Sequence, residues 1–121
     1  MRIFYRGDKV NFVDDNNMLV GYDLSQDCCE HADWFIADHL STELQASPQI
    51  DGHLDMPGWN FDPEFFQEVA SDELDAGNMV CFRLVNGAQE QYLHLYNSHN
   101  GYYGHGFTVE IGGKETTNAY L

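Results

Sequence analysis

Three glycine-bearing reversals punctuate the last third of this chain, and each is flanked by runs of strand length. Asn86-Gly87 separates 79–85 from 88–96, Asn100-Gly101 lies between 92–96 and 107–111, and Gly112-Gly113 precedes 114–120. Asn-Gly between apolar runs is the strongest short-range hairpin signal, so this pattern binds the chain to antiparallel sheet. A two-residue turn at Asn86-Gly87 sets Val85 against Ala88, Arg83 against Glu90, Cys81 against Tyr92 and Val80 against Leu93. The opposite charges of Arg83 and Glu90 then face each other favourably across the ladder. Alternation collects Val80, Phe82, Leu84, Leu93 and Leu95 on one core face, and Cys81, Tyr92, His94 and Tyr96 on the other.

The same construction at Asn100-Gly101 puts Phe107, Val109 and Ile111 on the His94/Tyr96 face, away from Leu93 and Leu95. A slip of one residue repairs this by pairing Leu93 with Val109 and Leu95 with Phe107, because each one-residue shift turns every side chain over. The expectation is three successive strands in one sheet, with a bulge or wide irregular loop within 97–106. Gly104 and Gly106 are suited to the backbone angles such a loop requires.

Earlier in the chain, 2–6 reads as a short edge strand, and 9–13 and 18–22 as strands joined by an Asp14-Asp15-Asn16-Asn17 turn. The acids of that turn lack the ligand series of a calcium loop. Residues 28–40 fit either a helix capped by Asp27 and Glu30 or a turn followed by a strand at about 33–38, and the aromatic run Trp34-Phe35-Ile36 favours the strand. Residues 41–61 form a long connection with one short strand near 49–54. Asp62-Pro63-Glu64 carries helix-start signals, with Asp at the cap, Pro at the first position and an acid in the first turn. Phe65, Phe66, Val69 and Ala70 supply an apolar stripe for that helix. In the last hairpin a two-residue turn at Gly112-Gly113 sets Glu110 against Glu115, which predicts a loosely held edge strand. The expected fold is therefore α+β: a mainly antiparallel sheet with one packed helix at about 63–72, in a single domain spanning 1–121.

Charge narrows the partners. The net charge is −15, and residues 1–78 carry 17 acids against 3 bases, whereas 79–121 carry 3 against 2. Such a surface repels phosphate backbones, so no direct nucleic-acid binding is expected. The acids are dispersed, as on a solvated face; a phosphate-mimicking surface would concentrate them in a continuous run. No stretch approaches the ~18 apolar residues of a membrane span. The opening residues Met1 to Arg6 lack a signal-like apolar run, and three cysteines, two of them adjacent, make a poor disulfide framework. A cytoplasmic setting is the expectation.

Two motifs concentrate chemistry-bearing side chains: Gln26-Asp27-Cys28-Cys29-Glu30, and Asn97-Ser98-His99-Asn100-Gly101-Tyr102-Tyr103-Gly104-His105-Gly106. Their pairing resembles small uncharacterised proteins of bacteria, phages and mobile gene cassettes, which share an Asp-Cys-Cys element before an aromatic strand and an Asn-Gly-Tyr-Tyr loop after a later one. The resemblance covers roughly 10–40 and 90–111. It implies no activity, but it does imply that the two motifs meet in space.

Cys28, Cys29, His31, His99 and His105 include the ligand types zinc prefers, yet adjacent cysteines in extended chain point to opposite sides and none is spaced two to four residues from another. No metal or other cofactor is expected. A thiol enzyme would use Cys28 or Cys29 with His99 as base and Asn100 orienting it, but Asp27, Glu30 and Asp33 would raise the thiol pKa. Tyrosine and histidine on a glycine-rich loop suit recognition, because rings give large contact at low entropic cost. The expected role is a non-enzymatic binding or interaction module. Its binding residues are expected to be Asp27, Cys28, Cys29, His99, Asn100, Tyr102, Tyr103 and His105. A protein partner or self-association, through this loop or the Cys81/Tyr92/His94/Tyr96 face, is favoured over a small molecule.

Overall fold

The computed structural model describes residues 1–25, 31–74, 78–98 and 105–121. Among them there is no helix. The strands are β1 (Arg2–Arg6), β2 (Lys9–Val13), β3 (Met18–Asp23), β4 (His31–Ala37), β5 (His53–Asp55), β6 (Asn60–Val69), β7 (Asn78–Asn86), β8 (Gln89–Ser98), β9 (Gly106–Ile111) and β10 (Lys114–Tyr120). They form a six-stranded sheet ordered β10-β9-β3-β2-β1-β5 and a four-stranded sheet ordered β4-β8-β7-β6. Every pairing is antiparallel.

The core lies between the sheets, where alternate residues of each strand converge. Ile3, Phe12, Val20 and Val109 of the large sheet share one buried cluster with Trp34, Phe82, Leu93 and Leu95 of the small one. Trp34 is fully buried, edge-on to Phe12 with centroids 5.1 Å apart, and its indole N–H donates to the Tyr5 hydroxyl at 3.2 Å. The Tyr22 hydroxyl crosses the core to donate to the Tyr96 carbonyl at 2.8 Å. Both large aromatics thus bury their rings and still satisfy their polar ends, which is the condition for placing Trp or Tyr inside. A second knot joins the sheets at the turn after β2. Asp14 is buried; its Oδ1 accepts from the N–H groups of Asn16 and Met18, both at 2.9 Å, and its Oδ2 from that of Phe61 at 3.0 Å. Both carboxylate oxygens are thereby engaged with backbone.

The expected helix at 63–72 does not form, and the fold is all-β where α+β was expected. Residues 63–69 lie instead in β6, and 70–72 in the connection after it; the register of β6 on β7 jumps between Phe61, opposite Leu84, and Phe66, opposite Phe82. The capping signals are spent on the irregularity. Asp62 Oδ1 accepts from the Glu64 N–H at 3.1 Å, and Pro63, which cannot donate to a ladder, sits in the irregular stretch of an outer strand. Arg83 completes the corner, its Nε 3.0 Å from Asp62 Oδ2, and this pairing holds the Asp62 carboxyl below its usual range. Extended geometry sends the two phenylalanines opposite ways. Phe65 meets Tyr92 edge-on at 5.7 Å, and Phe66 meets Phe82 at 5.4 Å and Phe107 at 6.0 Å. A helix would have offered one apolar face, whereas the strand finds an aromatic partner on each side.

Two hairpin expectations are also corrected. The turn after β7 uses Gly87-Ala88, so Asn86 pairs with Gln89, Val85 with Glu90, and Arg83 faces Tyr92, not Glu90. Gly87 has φ 61° at the first central position, where a two-residue turn of the II′ type wants glycine. The partners move by two, so the division of faces survives. The larger correction is at Asn100-Gly101. β8 and β9 are not neighbours in one sheet: β9 pairs with β3, Val109 opposite Val20 and Phe107 opposite Tyr22. Leu93, Leu95, Phe107 and Val109 do share a core, but across it from facing sheets. The loop expected there falls largely on 99–104, outside the described residues.

Other elements match the reading. β4 is a strand, and β10 is the outer strand of the large sheet, with Glu115 opposite Glu110 and a register shift between Glu115 and Thr117. β1 is a strand but not the edge it was expected to be, because the short β5 pairs on its other side.

Candidate functional site

Of the eight binding residues expected from sequence, Asp27, Cys28, Cys29, His99, Asn100, Tyr102 and Tyr103 lie outside the described residues. His105 is described, and it is buried. Its backbone exchanges two hydrogen bonds with Leu121, at 3.0 and 2.9 Å, and its Nδ1 lies 3.0 Å from the Asp23 carbonyl. The ring packs edge-on toward Tyr22 at 6.4 Å. This histidine ties the end of β3 to the residue after β10. His31, which follows the first motif, is opposite Ser98 of the second in the β4–β8 ladder, and Phe107, which follows the second, is opposite Tyr22 in the β3–β9 ladder. Among the described residues no group of three His, Cys, Asp or Glu side chains is arranged to hold a metal ion.

The outer face of the small sheet, offered by sequence as a surface for self-association, is covered. Phe35, Met79, Cys81 and Tyr96 form a second buried cluster there, roofed by Leu40, Leu44 and Leu74 and flanked by Phe65. The roof is a polar-stitched strap. The Leu44 N–H donates to Glu73 Oε2 at 2.6 Å, and the Ser71 hydroxyl donates to the Thr42 carbonyl. His94, fully buried, holds the strap down: its Nε2 accepts from the Ser41 N–H at 3.0 Å, its Nδ1 lies 3.1 Å from the Tyr92 carbonyl, and its ring stacks on Phe35 at 4.3 Å. Burial pushes the imidazole down to about 4, so the ring is neutral, donating from Nδ1 and accepting at Nε2. Beneath the same strap, burial pushes the Cys81 thiol up to about 12, which leaves it inert as a nucleophile.

The open feature lies at the β6 edge of the sandwich, its lining running on to Val69, Leu74 and Met79 of the roofed cluster. The large sheet outspans the small one; among the described residues no strand pairs beyond β10 at its rim, and β6 is likewise outermost in the small sheet. Between them runs a groove of about 710 Å³, floored by Phe107 and Val80 and walled by Phe66, Glu68, Ala119 and Tyr120. Phe66 is 49% exposed and Tyr120 73% exposed, the most exposed large apolar side chains described. The Tyr120 ring lies over Gly106, where a Cβ would sit 3.4 Å from it. Beside its apolar residues the groove is lined by Ser71, Asn78 and Thr117, and Glu68 is the one side-chain carboxylate among the described residues lining it, which suits an apolar group carrying or flanked by a cation. Sequence reasoning missed it because Phe66 was assigned to a helical stripe. Strict alternation across Phe65-Phe66 would have sent one ring to each face.

Over the described residues these features define an all-β, two-sheet domain with a groove between two outermost strands. Comparison with protein families, with curated proteins and with solved structures finds no match for this chain.

Proposed function

We propose that this protein is a non-enzymatic interaction module that binds a polypeptide partner in the groove between β6 and β10. The observation that carries the reading is the half-exposed Phe66 at the mouth of an apolar groove, already stacked on Phe107 and open to a further apolar contact. Aromatic side chains at such positions supply much of the energy of protein recognition. The described nucleophile and the buried imidazole on the far face are committed to packing: Cys81 is sealed and His94 has both nitrogens engaged. The strongly negative surface favours partners with basic segments and speeds their encounter.

The test is site-specific photo-crosslinking from position 66, identification of the captured protein, and reconstitution with that partner purified. Phe66→Ala is expected to weaken the reconstituted complex by about tenfold or more. Ile111→Ala, which removes another exposed apolar side chain outside the groove lining, should leave it within about twofold. Equal affinities for wild type and Phe66→Ala would overturn the reading.

A further inference from the structure

The geometry points to the occupant of this groove: an extended segment of another protein, alternately apolar and cationic, added as a fifth strand along the edge of β6 that no described strand pairs. The inference rests on the polypeptide-binding reading above and specifies its chemistry. Three observations carry it. First, the sheets are unequal, six strands facing four, and the inward residues of β10 that line the groove, Thr117 and Ala119, lie beyond the last strand of the small sheet. A strand beside β6 would occupy the missing place.

Second, the two halves of β6 differ. The first is guarded by Pro63 and the register jump; the second, Phe66 to Val69, is a regular ladder opposite Phe82 to Met79. The proline and the irregularity that blunt an edge are confined to the first half; the second carries one charged side chain, Glu68, which bars an uncharged or acidic strand and leaves a place for a cationic one. An added strand gains main-chain hydrogen bonds along such an edge, and its alternate side chains enter the groove.

Third, the charge is one-sided. No Lys or Arg occurs from Val10 through Phe82. Glu68 stands in the groove wall and Asp72 follows β6, while the Glu73 carboxylate is taken up by the strap, where it accepts from the Leu44 N–H. A second copy would bring the same acidic edge and another −15 of net charge, so complementarity selects a cationic segment from a different protein.

The experiment uses the full chain and three capped ten-residue peptides, alternating valine–lysine, valine–glutamate and serine–lysine, with affinity and backbone amide exchange as readouts. The valine–lysine peptide is expected to bind and to slow exchange at 66–69. The other two should bind at least about tenfold more weakly, and Glu68→Gln should weaken the first severalfold. Equal binding of the serine–lysine peptide, or slowed exchange confined to other strands, would overturn the inference by leaving only bulk charge attraction. So would a concentration-dependent dimer that protects 66–69 and excludes the peptide, because the occupant would then be a second copy. If the peptides fail while a purified partner still depends on Phe66, the strand-addition claim alone falls. If Phe66 dependence is also absent, the interaction reading falls with it.

Discussion

The Ser41 N–H donates to Nε2 of His94 at 3.0 Å, and through this one bond the connection after β4 is fastened over the outer face of the small sheet. The bond exists only while the imidazole is neutral, because a protonated Nε2 has no lone pair to offer.

A pH dependence follows. The folded imidazole titrates at about 4, below its usual 6.5, chiefly because burial disfavours its charged form. Above pH 6.5 the ring is neutral whether the chain is folded or not, and its full contribution is present. As pH falls from 6.5 toward 4 the unfolded chain takes up the proton and the folded chain does not, so stability is lost through that window, on the order of 3 kcal/mol in all, and levels off below it. Acidification also relieves repulsion among the many carboxylates, so the measurement is a difference. Denaturant unfolding of wild type and His94→Phe from pH 7 to 4 should show the variant destabilised at pH 7 and the gap narrowing as pH falls.

Asp14 provides a second test, because its two oxygens satisfy three backbone donors. Asp14→Ala strands all three and is expected to cost about 3 kcal/mol or more. Asp14→Asn can keep the bonds from Asn16 and Met18 but turns an amide N–H toward the N–H of Phe61, so it should cost about 1–3 kcal/mol. Denaturant midpoints that rank the asparagine variant as low as the alanine variant would refute this division.

Gly52 and Gly58 share a left-handed backbone, with φ 82° and 83°. A Cβ on Gly52 would meet nothing within 4 Å, whereas one on Gly58 would sit 3.2 Å from the Asn86 side chain. Each alanine substitution should cost about 1–2 kcal/mol for the backbone strain. Gly58→Ala should cost more, and pairing it with Asn86→Ala should bring it back to the Gly52→Ala value, as read by thermal or denaturant unfolding.

Cys81 should resist alkylation at pH 8 in the folded protein and react once the chain unfolds, since its thiol is raised to about 12 by burial. A Cys28→Ser/Cys29→Ser background isolates this thiol, and mass spectrometry reads the modification. Rapid labelling under native conditions would contradict the roofed outer face.

How much of this was legible in sequence depends on the range of the interaction involved. Period-two alternation correctly divided Val80, Phe82 and Leu84 from Cys81, Tyr92, His94 and Tyr96, because which side of a strand a residue occupies is a property of consecutive residues. The Glu110/Glu115 opposition at the outer strand was legible for the same reason.

Which strands are neighbours was not legible at β8 and β9. Leu93 and Leu95 reach Phe107 and Val109 across the core, and an apolar face is buried equally well by a strand beside it or a sheet above it. Nor was β6. Asp62-Pro63-Glu64 carries the same local chemistry at a helix start and at a strand irregularity, and Tyr92, Phe82 and Phe107, distant in the chain, decided between them. The groove is a consequence of that decision: local residues specified strands and faces, while the mismatch of six strands against four, and with it the open place beside Phe66, arose only when the sheets met.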